Sequence, residues 1–185
     1  MTRLLAVVAS SVALLALAAA PAAGATNVER LLAPPAACQH QSLLGAPHKT
    51  QAQAMRCLTN FARVKSGLER LAAPRLLFQA AAAKARDILR CGEFSHEACG
   101  RKFTFWMENV GYLTGSCWGA AENIAWGTGV IGTPRAIFGA WLHSAGHREN
   151  ILGPYSDIGI GLREGTIEGS SSANVWVQEF GSHDC

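Results

Sequence analysis

The sequence predicts an α+β fold, with helices in the first half of the chain and both helices and strands in the second. Between about residues 50 and 91, apolar residues recur at helical spacing. Beyond Pro154 the period changes, and apolar residues alternate with other residues as they do in strands. Helices first and strands later favour an α+β sandwich over a doubly wound parallel sheet.

The first 25 residues have the composition of a secretory signal peptide. Arg3 precedes an apolar, uncharged run over residues 4–20, and small residues at 23–25 suit cleavage before Thr26. An uncleaved anchor is the alternative, although the run is short for a membrane span. We therefore expect a secreted protein of 185 − 25 = 160 residues, which is the size of one domain.

The charge of the expected mature chain is small. The leader holds one of the 16 basic residues and none of the 13 acidic ones, which leaves 15 − 13 = +2. This is too weak to indicate a nucleic-acid partner. The basic residues Arg63, Lys65, Lys84, Arg86 and Arg90 have spacings expected of solvated helix faces.

The first half predicts an irregular arm followed by helices. Residues 26–49 are rich in Ala and Pro and form the arm, and residues 50–185 form the domain proper. The first helix begins near Thr50 and stops at Gly67, which suits a left-handed residue. Pro74 opens the second helix and Gly92 ends it. The apolar positions of the two helices are Met55, Leu58, Phe61 and Ala62, then Leu77, Ala81, Ala85, Ile88 and Leu89.

The second half predicts shorter helices. A short helix is expected within residues 103–110. Thr133 followed by Pro134 is a typical helix start, since a hydroxyl cap precedes proline at the first helical position. Ile137, Ala140 and Trp141 are the expected buried face, and Gly146 interrupts or ends this helix.

Three strands are expected in the same half. The first lies near residues 122–126, and the second contains Ile158, Ile160 and Leu162. The third covers residues 175–180. Residues 163–174 are rich in Gly and Ser and are expected to be a loop that joins the last two strands as a hairpin.

The six cysteines of an exported domain form an even set, which indicates disulfides. Six cysteines allow 15 connectivities. Local reach favours Cys91 with Cys99 and leaves Cys185 to fasten the C-terminus. We expect the pairs Cys38–Cys57, Cys91–Cys99 and Cys117–Cys185.

Several short segments together resemble the bacterial CAP (SCP-like extracellular) family, within the superfamily of cysteine-rich secretory, antigen 5 and pathogenesis-related proteins. These segments are Phe94-Ser95-His96, Glu122-Asn123-Ile124-Ala125, Gly146-His147-Arg148-Glu149-Asn150-Ile151-Leu152, Asp157-Ile158-Gly159-Ile160-Gly161 and Trp176-Val177-Gln178-Glu179-Phe180-Gly181. The similarity extends from about Thr50 to Gly181. It implies an α-β-α sandwich with a small antiparallel sheet and a cleft.

In many CAP proteins two histidines and two acidic residues line the cleft. The matching positions here are His96, Glu122 and His147, while Ser144 stands where eukaryotic relatives have the second acidic residue. Glu149 is a candidate to replace that missing carboxylate. Some relatives bind zinc through the two histidines, so His96 and His147 are candidate zinc ligands by resemblance. Two histidines alone bind zinc weakly, and a hydrogen-bonded polar cleft without metal is the alternative.

Two other catalytic patterns are only partial. His143 and His147 have the i, i+4 spacing of zinc proteases, but the glutamate that serves as general base in that motif is missing. Residues 114–118 partly match the segment around a papain-type nucleophile. Only 185 − 117 = 68 residues follow Cys117, against the roughly 130 to 150 that separate that nucleophile from its histidine.

The resemblance and these gaps together favour a secreted binding or interaction module that uses the His/Glu cleft. Its implied ligand classes are a lipid, a cell-envelope component or a protein. The alternative is a hydrolase in which His96 or His147 is the general base and Glu122 orients it, with or without a zinc-bound water. A third alternative is a stable scaffold whose loops, such as residues 163–174, contact partners.

Overall fold

A computed structural model of the chain describes residues 28–183. Its helices are α1 (His48–Lys65), α2 (Arg75–Cys91), α3 (Phe105–Asn109), α4 (Pro134–His143) and α5 (Ala145–Ile151). Its strands are β1 (Gly119–Thr128), β2 (Asp157–Ile167) and β3 (Ser170–Ser182). The expected leader, residues 1–25, lies outside the described residues. Within residues 28–183, no helix combines the length and the apolar character needed to cross a bilayer.

The three strands form one antiparallel sheet in the order β1-β3-β2, so β3 is central and β1 and β2 are edges. The prediction of a loop over residues 163–174 is wrong, because β2 and β3 continue through nearly all of it. The turn is short. Glu168 and Gly169 both have positive φ, 48° and 77°, which suits a two-residue turn between twisted strands.

The sheet lies between helices, which confirms the α+β sandwich. On one face, α2 packs against Ile124, Val175 and Val177. Gly159 and Gly161 allow this close approach, since a Cβ on either would overlap a backbone carbonyl of α2. On the other face, α1, α4 and α5 cover a core whose largest buried side chains include Trp141, Trp176, Phe138 and Phe180.

The start of α4 agrees with the sequence prediction and its end does not. The Thr133 hydroxyl accepts a hydrogen bond from the backbone N–H of Ala136. The helix then breaks at Ser144, whose backbone is extended, and Gly146 lies inside α5 rather than ending α4. Ala140, expected to be buried, is exposed; Phe138 and Leu142 fill the buried face beside Ile137 and Trp141.

Two of the three expected disulfides lie within the described residues. Cys38–Cys57 ties the N-terminal arm to α1, and Cys91–Cys99 closes the loop after α2. Cys117 is disulfide-bonded, whereas Cys185 lies outside the described range, so the pair Cys117–Cys185 stays a prediction.

Two basic residues expected on solvated helix faces are buried. Arg63 is 3% exposed and donates hydrogen bonds to the carbonyl oxygens of Ile151 and Tyr155, at 3.0 and 3.1 Å. It thereby joins α1 to the segment after α5. Lys84 is 2% exposed and points to the sheet. The spacing of charged residues within a helix predicts exposure for both residues. It does not detect their partners, which lie on other elements far along the chain.

Candidate functional site

Three separate elements bring the predicted cleft residues to the β1 edge of the sheet. His96 lies in the loop that Cys91–Cys99 closes, Glu122 lies on β1, and His147 lies on α5. His96 Nδ1 is 2.7 Å from Glu122 Oε1, and the His96 side chain is about half exposed while that of Glu122 is buried. When His96 is neutral with its proton on Nδ1, it donates to Glu122 and leaves Nε2 to face a ligand or water.

His147 contributes a second imidazole to the same region. Burial, and then the nearby charge of His96, lower the pKa of His147 below its ordinary value of 6.5. The ring is therefore neutral at neutral pH. Its Nδ1 is buried without a hydrogen-bond partner among the described residues.

Two asparagines from the sequence motifs hold α5 against β1. Asn123 Nδ2 donates to the backbone carbonyl of His147 at 3.1 Å. Asn150 Nδ2 donates to Asn123 Oδ1 at 2.8 Å and to the Glu122 carbonyl at 3.3 Å. Gln178 on β3 accepts from Asn123 and donates to Thr59 of α1 at 2.9 Å. This network fixes the position of His147 relative to Glu122.

Sequence reasoning missed two charged residues behind the cleft. Lys84 Nζ lies 3.6 Å from Glu122 Oε1 and donates to the backbone carbonyl of His96. Lys84 thereby ties the His96 loop to the carboxylate.

The second of these residues is Glu179. It is completely buried on β3 and pairs in register with Glu122 of β1. Burial, and then the charge of Glu122, raise the pKa of Glu179 well above its ordinary value, although Lys84 opposes the shift.

Two well-formed concavities lie away from this cleft. One of about 490 Å³ lies at the β2 edge between α1 and α2, where Lys49, Arg56, Arg75 and Arg163 are among its lining residues. Another of about 940 Å³ lies beside the N-terminal arm. The chemistry of the His96–Glu122 pair, rather than cavity size, therefore defines the candidate site.

Comparisons with known proteins identify the architecture. No protein-family model matches the chain. The chain is 35% identical over 127 residues to the uncharacterised protein YkwD of Bacillus subtilis. The aligned region covers 66% of this chain and 44% of that protein. The chain thus spans less than half the length of this relative.

Solved structures give the fold. An extracellular SCP-domain protein of Bacillus anthracis is similar with a TM-score of 0.56 and 22% identity, over 72% of this chain and 43% of the other. A cysteine-rich secretory protein of Staphylococcus aureus gives a TM-score of 0.55 and 18% identity, over 74% of this chain and 39% of the other. The chain has the CAP fold. An outer surface protein of Borrelia burgdorferi is also similar, with a TM-score of 0.61 and 17% identity, over 75% of this chain and 96% of the other.

The CAP resemblance implies two histidines and two acidic residues in the cleft, and this chain lacks an acidic residue at the second acidic position. Ser144 is half-buried and occupies the break between α4 and α5. Glu149, the candidate replacement, is exposed on α5. A second carboxyl does lie beside Glu122, but it comes from β3 as Glu179 and lies behind the cleft rather than on its surface.

Zinc, which the CAP resemblance implies for His96 and His147, fits these residues poorly. Across residues 28–183, no three His, Cys, Asp or Glu side chains are grouped as metal ligands are. A stable zinc centre usually takes three or four protein ligands. The Glu122 carboxylate is bonded to His96 Nδ1 and lies near Lys84, so it does not supply a third ligand. The chemistry proposed for this cleft therefore uses the side chains alone.

The other partial patterns do not assemble sites either. The break at Ser144 separates His143 on α4 from His147 on α5. His143 is exposed, with Nε2 3.4 Å from Glu29 of the arm. The disulfide at Cys117 removes the thiol that a cysteine nucleophile requires.

Proposed function

We propose that the chain is an extracellular binding module whose cleft, formed by His96, Glu122 and His147, takes a polar group of its ligand. The observation that carries this proposal is the half-exposed ring of His96, which the buried Glu122 holds through a 2.7 Å contact at Nδ1. With its proton on Nδ1, the neutral ring of His96 offers Nε2 as a hydrogen-bond acceptor to a ligand.

The electrostatics of the cleft support recognition of a polar, hydrogen-bonding group. His147 is neutral at neutral pH because burial and His96 lower its pKa. The half-exposed His96 is held by Glu122 at 2.7 Å, so its orientation is set before a ligand arrives. Preorganised polar groups reduce the ordering cost of binding.

An extracellular location and the class of ligand also belong to this proposal. The structural relatives are described as an extracellular protein, an outer surface protein and a cysteine-rich secretory protein. The predicted leader and the disulfides agree with export. The ligand is expected to be a lipid, a component of the cell envelope or a secreted protein.

The test compares retention of three probes by the oxidised protein and by His96→Ala and His147→Ala variants. The probes are phosphatidylglycerol vesicles, purified peptidoglycan and a fraction of secreted proteins. We expect one probe to bind the unaltered protein and to bind both variants at least tenfold more weakly. His143→Ala is the matched control, since His143 is exposed outside the cleft. Equal retention by all four proteins would place the binding surface elsewhere.

A hydrolase is the second candidate, and the His96–Glu122 distance of 2.7 Å favours it. A carboxylate bonded to Nδ1 fixes the tautomer of a histidine and stabilises the imidazolium that forms when Nε2 takes a proton. His96 would then be the general base that removes a proton from water as the water oxygen bonds to the acyl or glycosyl carbon of the substrate. The imidazolium would return that proton to the leaving group as the scissile bond breaks. Neutral His147 would hydrogen-bond the substrate.

The hydrolase candidate predicts turnover that depends on both rings. Ester, peptide and glycan substrates are incubated with the purified protein and with the same three variants. Loss of turnover in His96→Ala and His147→Ala, but not in His143→Ala, supports the enzyme. Turnover that survives in both cleft variants excludes this assignment.

A further inference from the structure

Two glutamate side chains lie opposite each other on neighbouring strands behind the cleft. Glu122 of β1 and Glu179 of β3 are register partners, and residues opposite each other on antiparallel strands place their Cβ atoms about 4.5–5.5 Å apart. Both side chains are buried, 6% and 0% exposed as residues. Both point to the face that α2 covers, because they alternate with Asn123 and Gln178, which bond toward α1 on the other face.

The hydrogen bonds around this pair are incomplete if both groups are carboxylates. Oε1 of Glu122 is occupied by His96 and lies near Lys84. Oε2 of Glu122 and both oxygens of Glu179 are buried without a partner among the described residues. Carboxylates are acceptors only, so neither can satisfy the other. One proton between them lets one glutamate donate to the other, which satisfies two of these three oxygens.

The charges around this pair also indicate that one of the two glutamates is protonated. Lys84 is the cation that acts on Glu179, and Glu122 is the anion. Gly159, the β2 residue paired with Glu179, adds no charge. With His96 neutral, two ionised glutamates beside one lysine would leave an unbalanced negative charge away from water, which is costly.

We propose that Glu179 is a protonated positioning residue, which donates a hydrogen bond to Oε2 of Glu122 and so holds Oε1 toward His96 and Lys84. The raised pKa of Glu179, caused first by burial and then by Glu122, agrees with this assignment. The proton leaves Glu122 as the single carboxylate of the cluster, balanced by Lys84. His96 then keeps its proton on Nδ1 and presents Nε2 to the cleft.

The proton on Glu179 can be observed without a ligand and without any activity. Glutamate carboxyl carbons are labelled with ¹³C in the full oxidised protein and followed by NMR from about pH 4 to about pH 9, a range that spans the ordinary pKa of glutamate and a strongly raised one. We expect one carboxyl to show the shift of a protonated acid at neutral pH. That resonance should be missing from Glu179→Gln. A spectrum with all glutamates ionised at neutral pH, or one in which the protonated resonance survives in Glu179→Gln, overturns the proposal.

A second measurement separates positioning from simple packing. The tautomer of His96 is determined by ¹⁵N NMR in Glu179→Gln, which keeps a donor, and in Glu179→Met, which has similar bulk and no donor. We expect Glu179→Gln to retain the Nδ1–H form and Glu179→Met to lose at least half of it. Equal tautomer populations in the two variants contradict the positioning role. If Glu179→Met does not fold, the ¹³C measurement on the unaltered protein and Glu179→Gln still decides.

Discussion

Replacement of Glu179 by glutamine should change how the stability of the protein depends on pH. Glutamine has nearly the same shape, is never charged, and can donate to Glu122 as a protonated Glu179 does. At low pH the two proteins should therefore be similar in stability. At higher pH the unaltered protein must keep a proton on Glu179 or bury a second negative charge, whereas the variant need do neither.

The sign of the effect follows from the direction of the pKa shift. Burial and Glu122 raise the pKa of Glu179 in the folded state. Between the ordinary pKa of glutamate, about 4.3, and the raised value, the folded state holds one more proton than the unfolded chain. The free energy of unfolding then falls by about 1.4 kcal/mol per pH unit from this group. The contribution is complete below the ordinary pKa and is lost as pH rises through the raised one.

Urea unfolding of both proteins at several pH values between about 4.5 and about 8.5 measures the difference directly. The stability advantage of Glu179→Gln should grow with pH, with a slope that approaches about 1.4 kcal/mol per unit. His147 acts in the opposite direction, since its lowered pKa reduces stability as pH falls. It is present in both proteins and cancels. A difference that stays constant across this range refutes the assignment of a proton to Glu179.

Other predictions concern packing, a buried cation and metal binding. Arg63→Ala should lower the free energy of unfolding by about 3 kcal/mol or more, because buried carbonyl oxygens lose their donor. Lys65→Ala, at an exposed site, should change it by less than about 0.5 kcal/mol in the same urea titrations. Gly161→Ala should destabilise by more than about 2 kcal/mol, since its Cβ would overlap the backbone carbonyl of Ala81. Gly139→Ala meets no neighbour and should be neutral or stabilising by up to about 1 kcal/mol, so equal thermal stabilities of the two glycine variants contradict the close packing of α2. Calorimetric titration with zinc should show only weak binding, and tight binding that disappears without the cleft histidines contradicts the poor fit of zinc to these residues.

The parts of the fold that follow from the sequence are those set by local patterns. The periodicity around Leu58 and the cap at Thr133 are short-range features, and α1 and α4 form where they indicate. The loop expected at residues 163–174 is wrong because its Gly and Ser content, which is typical of turns, does not decide the structure there. Strand pairing overrides this composition, and the turn needs only Glu168 and Gly169.

The candidate site, too, could be predicted from the sequence only in part. The short motifs predict that His96, Glu122 and His147 share one cleft, and the structure places them around the β1 edge. Lys84 was missed because its partner Glu122 is 38 positions away (122 − 84). For Glu179 the sequence does contain an informative pattern. Val175, Val177 and Glu179 are two positions apart on one strand, so Glu179 lies on the same buried face as the two valines.

The most direct test of the binding cleft follows the two histidine rings while a probe is added. Imidazole resonances of His96, His147 and His143 are recorded by ¹⁵N NMR during titration with the probe that the purified protein retains. We expect His147 and His96 to shift together and saturate, while His143, exposed on α4, stays unchanged. Saturable binding that leaves both cleft rings unshifted would contradict the proposed cleft and would indicate that the ligand binds elsewhere, with the basic concavity at the β2 edge as the next candidate.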